Sequence, residues 1–371
     1  MIYFDNSATT RPSKSCIKAM TYAMENEFAN ASSLHFAGVN AYRKIDELKS
    51  ELAVALGCTK GEIIVATGGT YCNNLAIKSA VSALKRRGNK IVISSIEHPS
   101  VSECAAELEK DGFQVVLCNP LTDDFEKEID DKTILVSCML VNNETGLILD
   151  VNKIKGIIKR ANSPALFHVD AVQAFGKIPV NVKKIDCDFL TVSAHKINGP
   201  KGIGALFVKR GVRMFPLIFG GEQENGIVPG TYNTAAVAGF VAALNDLKSK
   251  SSDTLEKLNS HFKLCADKFD FIKINDYGNH APHIINVTFD GYLGENVLHF
   301  FEGYDIFVSQ GSACSSHSKQ KGKTLIALGA EKRTYDGSIR ISFDYNNTIE
   351  EIDKFFEICS MIPEKLIKLY K

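Results

Sequence analysis

The chain has 371 residues, 45% hydrophobic and 23% charged, and its 43 basic and 43 acidic side chains cancel to a net charge of zero. That length is more than one typical core and argues for two domains, while the charge balance excludes a global basic field for nucleic acid or an anionic membrane surface. Ten cysteines without a C-x-x-C pair argue against structural zinc and iron–sulfur ligation, and their dispersal through a long chain points to reduced thiols in a cytoplasm.

The opening Met1-Ile2-Tyr3-Phe4-Asp5-Asn6 has no basic stretch followed by an apolar one, so no secretory signal is expected. No apolar run reaches the roughly 18 residues of a membrane span. Between residues 60 and 210 short apolar runs alternate with amphipathic stretches. Strands are expected at 63–66, 90–94, 113–117, 133–140, 166–169, 189–192 and 203–208, and helices at 73–87, 100–110 and 151–160. Fully apolar strands alternating with helices indicate an α/β fold, a mostly parallel sheet with helices on both faces. A polar break at 249–253 changes the texture. A helix at 254–269, an alternating strand at 284–289, a helix-like 295–301, a strand at 339–343 and a helical region at 348–370 indicate a smaller α+β C-terminal domain. We take 15–250 as the large domain, and 1–14 with 251–371 as the small one.

Polar groups gather at the ends of the expected strands. Thr67-Gly68-Gly69-Thr70 leads from a strand into a helix, where paired glycines admit a close ligand and the helix N-terminus offers free N–H groups to an anion. It is neither a P-loop nor a dinucleotide fingerprint. Glu97-His98-Pro99, Asn142-Asn143-Glu144, His168-Val169-Asp170 with Gln173, and Ser193-Ala194-His195-Lys196 follow four further strands. Ligands of open α/β sheets bind at such carboxyl ends. An anion cradle, a carboxylate for a cationic nitrogen, an imidazole that can stack on a ring and a lysine able to form an imine are together what pyridoxal 5′-phosphate requires.

These segments, with Tyr3-Phe4-Asp5-Asn6-Ser7-Ala8-Thr9-Thr10, Asn73-Asn74-Leu75-Ala76-Ile77, Gly199-Pro200-Lys201-Gly202, Gly230-Thr231, Gly311-Ser312-Ala313-Cys314-Ser315-Ser316 and Ser338-Ile339-Arg340-Ile341-Ser342, run nearly end to end. In this combination the chain resembles the NifS/IscS-like cysteine desulfurases of the class V aminotransferase family, which are fold-type I pyridoxal-phosphate enzymes. The resemblance implies sulfur removal from L-cysteine, giving L-alanine and a persulfide. Lys196 becomes the cofactor's covalent anchor and carrier of the substrate Cα proton. His98 stacks on the ring, Asp170 pairs with its nitrogen, and Gln173 bonds its phenolic oxygen. The phosphate falls to Gly69, Thr70, Ser193 and His195, joined by Thr231 from the neighbouring subunit of a homodimer. Asn143, at the cofactor's edge, and Arg340 grip the substrate carboxylate, a task suited to a guanidinium.

Cys314 is implied as the sulfur acceptor, its small neighbours suiting an exposed nucleophile. The persulfide would serve an acceptor protein, a scaffold or sulfur carrier, in iron–sulfur cluster, thiolated-tRNA or thiamine synthesis. Selenocysteine lyase, or another class V lyase or transaminase, is the alternative. The chain departs from the family pattern at Tyr71-Cys72, where an acid and a serine are usual. It departs again at Val228-Pro229-Gly230-Thr231, where Arg-x-Gly-Thr is common. No metal site is expected: His280 and His283 read as a surface or hinge pair, Cys72 as a small buried thiol, and Lys319–Lys323 as a solvated loop.

Overall fold

The computed structural model describes residues 1–311 and 322–369. Its strands in chain order are β1 (Ile2–Tyr3), β2 (Ile63–Ala66), β3 (Lys90–Ser94), β4 (Gln114–Cys118), β5 (Thr133–Ser137), β6 (Leu166–Asp170), β7 (Phe189–Ser193), β8 (Gly204–Val208), β9 (Ile272–Ile274), β10 (Ile284–Phe289), β11 (Ile306–Phe307) and β12 (Ser338–Ser342). Two compact units divide the chain. One comprises Arg11–Leu140 and Leu149–Ser249, the other Met1–Thr10, Val141–Ile148 and Lys250–Lys371.

The larger unit is built on a seven-stranded sheet in the order β2-β8-β7-β6-β5-β3-β4. Strands β4, β3, β5, β6 and β7 run parallel. Strand β8 is antiparallel to both β7 and β2, so β2 points the same way as β7, and β2, β3, β6 and β7 end on one edge of the sheet. The mixed direction is not visible in the sequence, because an apolar run such as Gly204–Val208 carries no polarity of its own. Strands β3, β5, β7 and β8 are buried at every position, as expected where helices cover both faces.

Helix Gly69–Leu84 begins four residues before the expected 73. The glycines are its first turn rather than a preceding loop, because Gly68 at φ 139 makes the reversal and Cys72 N–H already bonds back to Gly68 O. Helices Lys14–Asn26, Phe36–Leu56 and Thr234–Leu247 were not expected. The last is apolar on nearly every face and so lacks the one-sided stripe of a surface helix. It lies tight on Lys14–Asn26: a Cβ at Gly239 would come within 2.7 Å of Met20 Cγ.

The smaller unit contains the antiparallel sheet β12-β10-β9 and the parallel pair β1-β11. An aromatic core fills it. Phe4 packs edge-on to Phe343 at 5.3 Å, and Phe301 stacks on Phe355 at 4.4 Å. Segment 141–148, which the sequence reading left inside 15–250, belongs here because it is a turn with Val141 bridged to Ile148 and Leu147 bridged to His280. His283 is buried rather than on a surface.

Candidate active site

In the larger unit the four co-directional strand ends deliver the sequence-predicted residues. Strand β6 ends on Asp170, which is buried. Its Oδ1 accepts the Val172 N–H at 2.9 Å, and its Oδ2 accepts from Asn73 Nδ2 at 2.8 Å. Asn73 had no assigned role from sequence. Its signal is positional: it lies four residues after Gly69 on the buried face of that helix.

Asn73 Nδ2 also reaches Ser100 Oγ at 2.8 Å, and Ser100 Oγ lies 2.8 Å from His98 Nδ1. His98 caps helix Pro99–Lys110, its Nδ1 accepting the Ser100 N–H at 3.1 Å. With Nδ1 engaged as acceptor, the neutral ring carries its hydrogen on Nε2. Burial pulls the His98 pKa below its usual value; the Asp170 charge opposes this and Lys196 reinforces it. Next to it, Glu97 is buried, with Oε1 accepting the Met139 N–H at 2.6 Å. Burial, then the Asp170 charge, hold this carboxyl well above the carboxylate range.

Strand β7 ends on Ser193, and a short turn, Ala194–Lys196, follows. His195 and Lys196 are partly buried there. Burial, then the neighbouring Lys196, Lys201 and His98, lower the His195 pKa to about 4. The turn after the lysine is tight: a Cβ at Gly199 would sit 2.8 Å from Ala194 O. It is tied down by the Ser13 N–H donating to Asn198 O at 2.9 Å and by Asn198 Nδ2 donating to Arg11 O at 3.0 Å.

Ser193 Oγ is buried and has no hydrogen-bond partner. The helix N-terminus lies against it, for a Cβ at Gly69 would come 3.7 Å from Ser193 Cβ and 3.1 Å from Val172 Cγ2. Thr70 on the first turn is exposed, and Gln173 is buried in the turn after Asp170. An unpartnered hydroxyl beside the free N–H groups of a helix suits an anion. Thr231 is exposed, and no described hydrogen bond ties its side chain to this cluster.

The segment altered from the family pattern is organised by Glu224. Its Oε2 lies 2.6 Å from Lys49 Nζ and its Oε1 accepts from Tyr232 OH at 2.8 Å. Gln223 Oε1 accepts the Gly230 N–H at 3.0 Å. The expected buried thiol at Cys72 is buried, and burial raises its pKa.

In the smaller unit Arg340 lies on β12 and is almost wholly buried. Its Nη1 donates to Asn143 O at 2.8 Å and its Nη2 to Asp5 Oδ1 at 2.5 Å. Its Nε is buried with no hydrogen-bond partner. Asn143 is buried in the turn that Asn142 builds by accepting the Glu144 and Thr145 N–H groups at 2.9 Å each. Arg340 also exchanges backbone hydrogen bonds with Ser309, from which the chain runs toward Cys314. Cys314 lies outside the described residues.

The aminotransferase class-V family model matches residues 2–355. The chain belongs to the class-V aminotransferase family. Within that family it is 36% identical over 377 residues to cysteine desulfurase IscS of Methanosarcina thermophila, covering 98% of this chain and 92% of the relative. Among solved structures, this class-V enzyme is similar to a NifS-like protein, with a TM-score of 0.92 and 32% identity over 98% of this chain and all of the other. It is also similar to SspA in complex with cysteine, with a TM-score of 0.82 and 30% identity over 94% of this chain and all of the other. The shared fold is the fold-type I architecture, a mixed sheet with helices on both sides.

Proposed function

We propose that this enzyme is a pyridoxal-phosphate-dependent cysteine desulfurase. The observation that carries the reading is the convergence at one sheet edge of Lys196, His98, Asp170 and the Gly69–Ser193 cradle, in a chain whose relatives bear that name. The residues fit the cofactor. The buried, unpartnered Ser193 Oγ beside the helix N-terminus suits its phosphate, with Gly69, Thr70 and His195. Asp170, already fixed by Asn73 and Val172, suits a protonated ring nitrogen, and Gln173 the phenolic oxygen. When bound, the cofactor supplies an electron sink for charge developing at the substrate Cα.

Lys196 anchors the cofactor covalently and moves the Cα proton. His98 stacks on the ring, its plane set by Ser100. Arg340 offers its open Nε–H to the substrate carboxylate, with Asn143 beside it. The Cys314 thiol then takes the substrate sulfur: R–SH and L-cysteine give R–S–SH and L-alanine, with every atom and electron accounted for. Cysteine as substrate is supported by the cysteine-bound relative. The persulfide passes to a scaffold or sulfur-carrier protein, feeding iron–sulfur cluster, tRNA thiolation or thiamine synthesis.

A homodimer is supported by Phe28, Leu34, Phe36 and Phe219, large apolar side chains standing exposed. Thr231, exposed and with no described side-chain hydrogen bond to its own chain's cradle residues, serves the partner's phosphate. No described helix is long and apolar enough to cross a membrane. Every described cysteine is a free thiol, in keeping with a reducing cytoplasm.

The test is to load the full chain with cofactor, add L-cysteine, and measure alanine together with the mass of the Cys314 peptide. Wild type should form alanine and gain one sulfur on that peptide. Cys314→Ala should keep the bound cofactor's absorbance and lose sulfur transfer, while Lys196→Ala should lose both turnover and covalent attachment. Turnover of selenocysteine but not cysteine would favour the lyase alternative.

A further inference from the structure

Far along the chain from the catalytic lysine, helices Ser252–Ala266 and Ile349–Cys359 of the smaller unit present three unlike donors to one another. We propose that His261, Cys265 and Asp353 form a binding site for a borderline transition-metal cation of the Zn²⁺ class, completed by water. His261 and Cys265 are four residues apart on one helix, so both project from the same face. Asp353 comes from the other helix.

The distances suit a tetrahedral ion. Cys265 Sγ lies 3.6 Å from His261 Nε2. Zinc bonds of about 2.3 Å to sulfur and about 2.1 Å to nitrogen at the tetrahedral angle place those atoms about 3.6 Å apart. His261 Nε2 and Asp353 Oδ1 are 2.6 Å apart, and all three ligand atoms lie within 4.8 Å of one another. Admitting an ion therefore requires only that the carboxylate swing outward. Its side chain is 58% exposed and free to do so.

The backbone positions are fixed. Phe262, next to His261, packs on Phe355 at 5.6 Å and on Phe356 at 4.8 Å, so the helices that carry the donors are held together by an aromatic core before any metal arrives. The donor set also selects the ion. A thiolate, a neutral imidazole and a carboxylate carry two negative charges, balancing a dication. Sulfur and nitrogen favour Zn²⁺ and its neighbours over Mg²⁺ and Ca²⁺, which take oxygen. The partly exposed position leaves the fourth place to water, so the ion would tie the helix Ile349–Cys359 to Ser252–Ala266.

The test is equilibrium dialysis of the cofactor-loaded full chain against Zn²⁺, comparing wild type with His261→Gln, Cys265→Ser and Asp353→Asn. His261 and Asp353 are not core residues, so these two variants should fold, and far-ultraviolet circular dichroism checks all three. The expected result is one fewer tightly held Zn²⁺ per chain in each variant, with affinity at this site falling by at least ~100-fold on loss of a ligand. A Zn²⁺ stoichiometry in His261→Gln equal to that of wild type overturns the site. So does a loss confined to Cys265→Ser, which would mark simple thiol binding.

Discussion

Asn73 Nδ2 stands 2.8 Å from Asp170 Oδ2 and 2.8 Å from Ser100 Oγ. One amide group thus fixes the acid beneath the proposed cofactor nitrogen and, through Ser100, the tilt of the His98 ring. Removing it leaves a buried carboxylate oxygen short of a donor. Asn73→Ala is expected to cost about 1–3 kcal/mol of stability, read by urea denaturation. It should also weaken cofactor retention more than Ser100→Ala does, because of these two side chains Asn73 is the one hydrogen-bonded to Asp170. Equal retention by the two variants would refute the bridging role.

Arg340 makes two of its side-chain contacts within the smaller unit and leaves Nε open. Arg340→Lys keeps a charge but loses the planar fork that serves Asn143, Asp5 and a carboxylate at once. Losing a charge-assisted hydrogen bond of about 1.5–3 kcal/mol predicts a fall of roughly 10- to 150-fold in kcat/KM for cysteine. Steady-state kinetics at several cysteine concentrations would show it. Wild-type kcat/KM in this variant would remove Arg340 from the substrate's path.

Buried His168 sits between Ser137 Oγ at 2.8 Å and Thr191 Oγ1 at 3.1 Å. Burial lowers its pKa from 6.5 to about 4, with the Asp170 charge opposing. The unfolded chain therefore binds more protons than the folded one between those values. Stability from this residue is present above pH 6.5 and is lost as pH falls through that window toward 4. This residue's share of the drop between pH 7 and pH 5 should be about 2 kcal/mol. Urea titrations of wild type and His168→Gln at the two pH values measure it as the part of the drop that the substitution removes, the share of His195 remaining.

Glu224 holds Lys49 and Tyr232 while sitting in left-handed backbone at φ 50. Glu224→Ala strands a partly buried lysine, and the expected cost is about 1–3 kcal/mol, discounted for the exposure that Lys49 retains. Its main effect should be local. Hydrogen exchange across 220–233 should speed up well before the rest of the larger unit responds. Unchanged protection there would show that the loop is held by other contacts.

Much of this site is legible as punctuation in the sequence. Strands at 63–66 and 90–94 coincide with β2 and β3, because short apolar cores bounded by polar residues leave little choice of boundary. The polar residues just past them are therefore already placed at a sheet edge. Asn73 escapes this reading, since a buried asparagine on a helix looks like any other helix residue until its partner, 97 positions away, is known. Val228 in place of the common arginine is legible as a departure. The Lys49–Glu224–Tyr232 clamp that organises the neighbouring loop is not, because it depends on a helix some 175 residues earlier in the chain. The apolar run 203–208 marks strand β8 to within a residue, but nothing in it marks the antiparallel direction.

The pairing of Ile2 with Ile306 and Tyr3 with Phe307, and of Phe4 with Phe343 and Phe355, has a consequence during synthesis. These residues have their partners some 300 positions downstream, so at typical translation rates they wait on the order of 15–60 s for them. Residues 11–249, apart from the 141–148 turn, carry the larger unit and emerge complete in the meantime. The smaller unit closes after the larger one, around a strand made long before its partner, and so the unit that carries Lys196 can fold before the unit that carries Arg340 has both its edges.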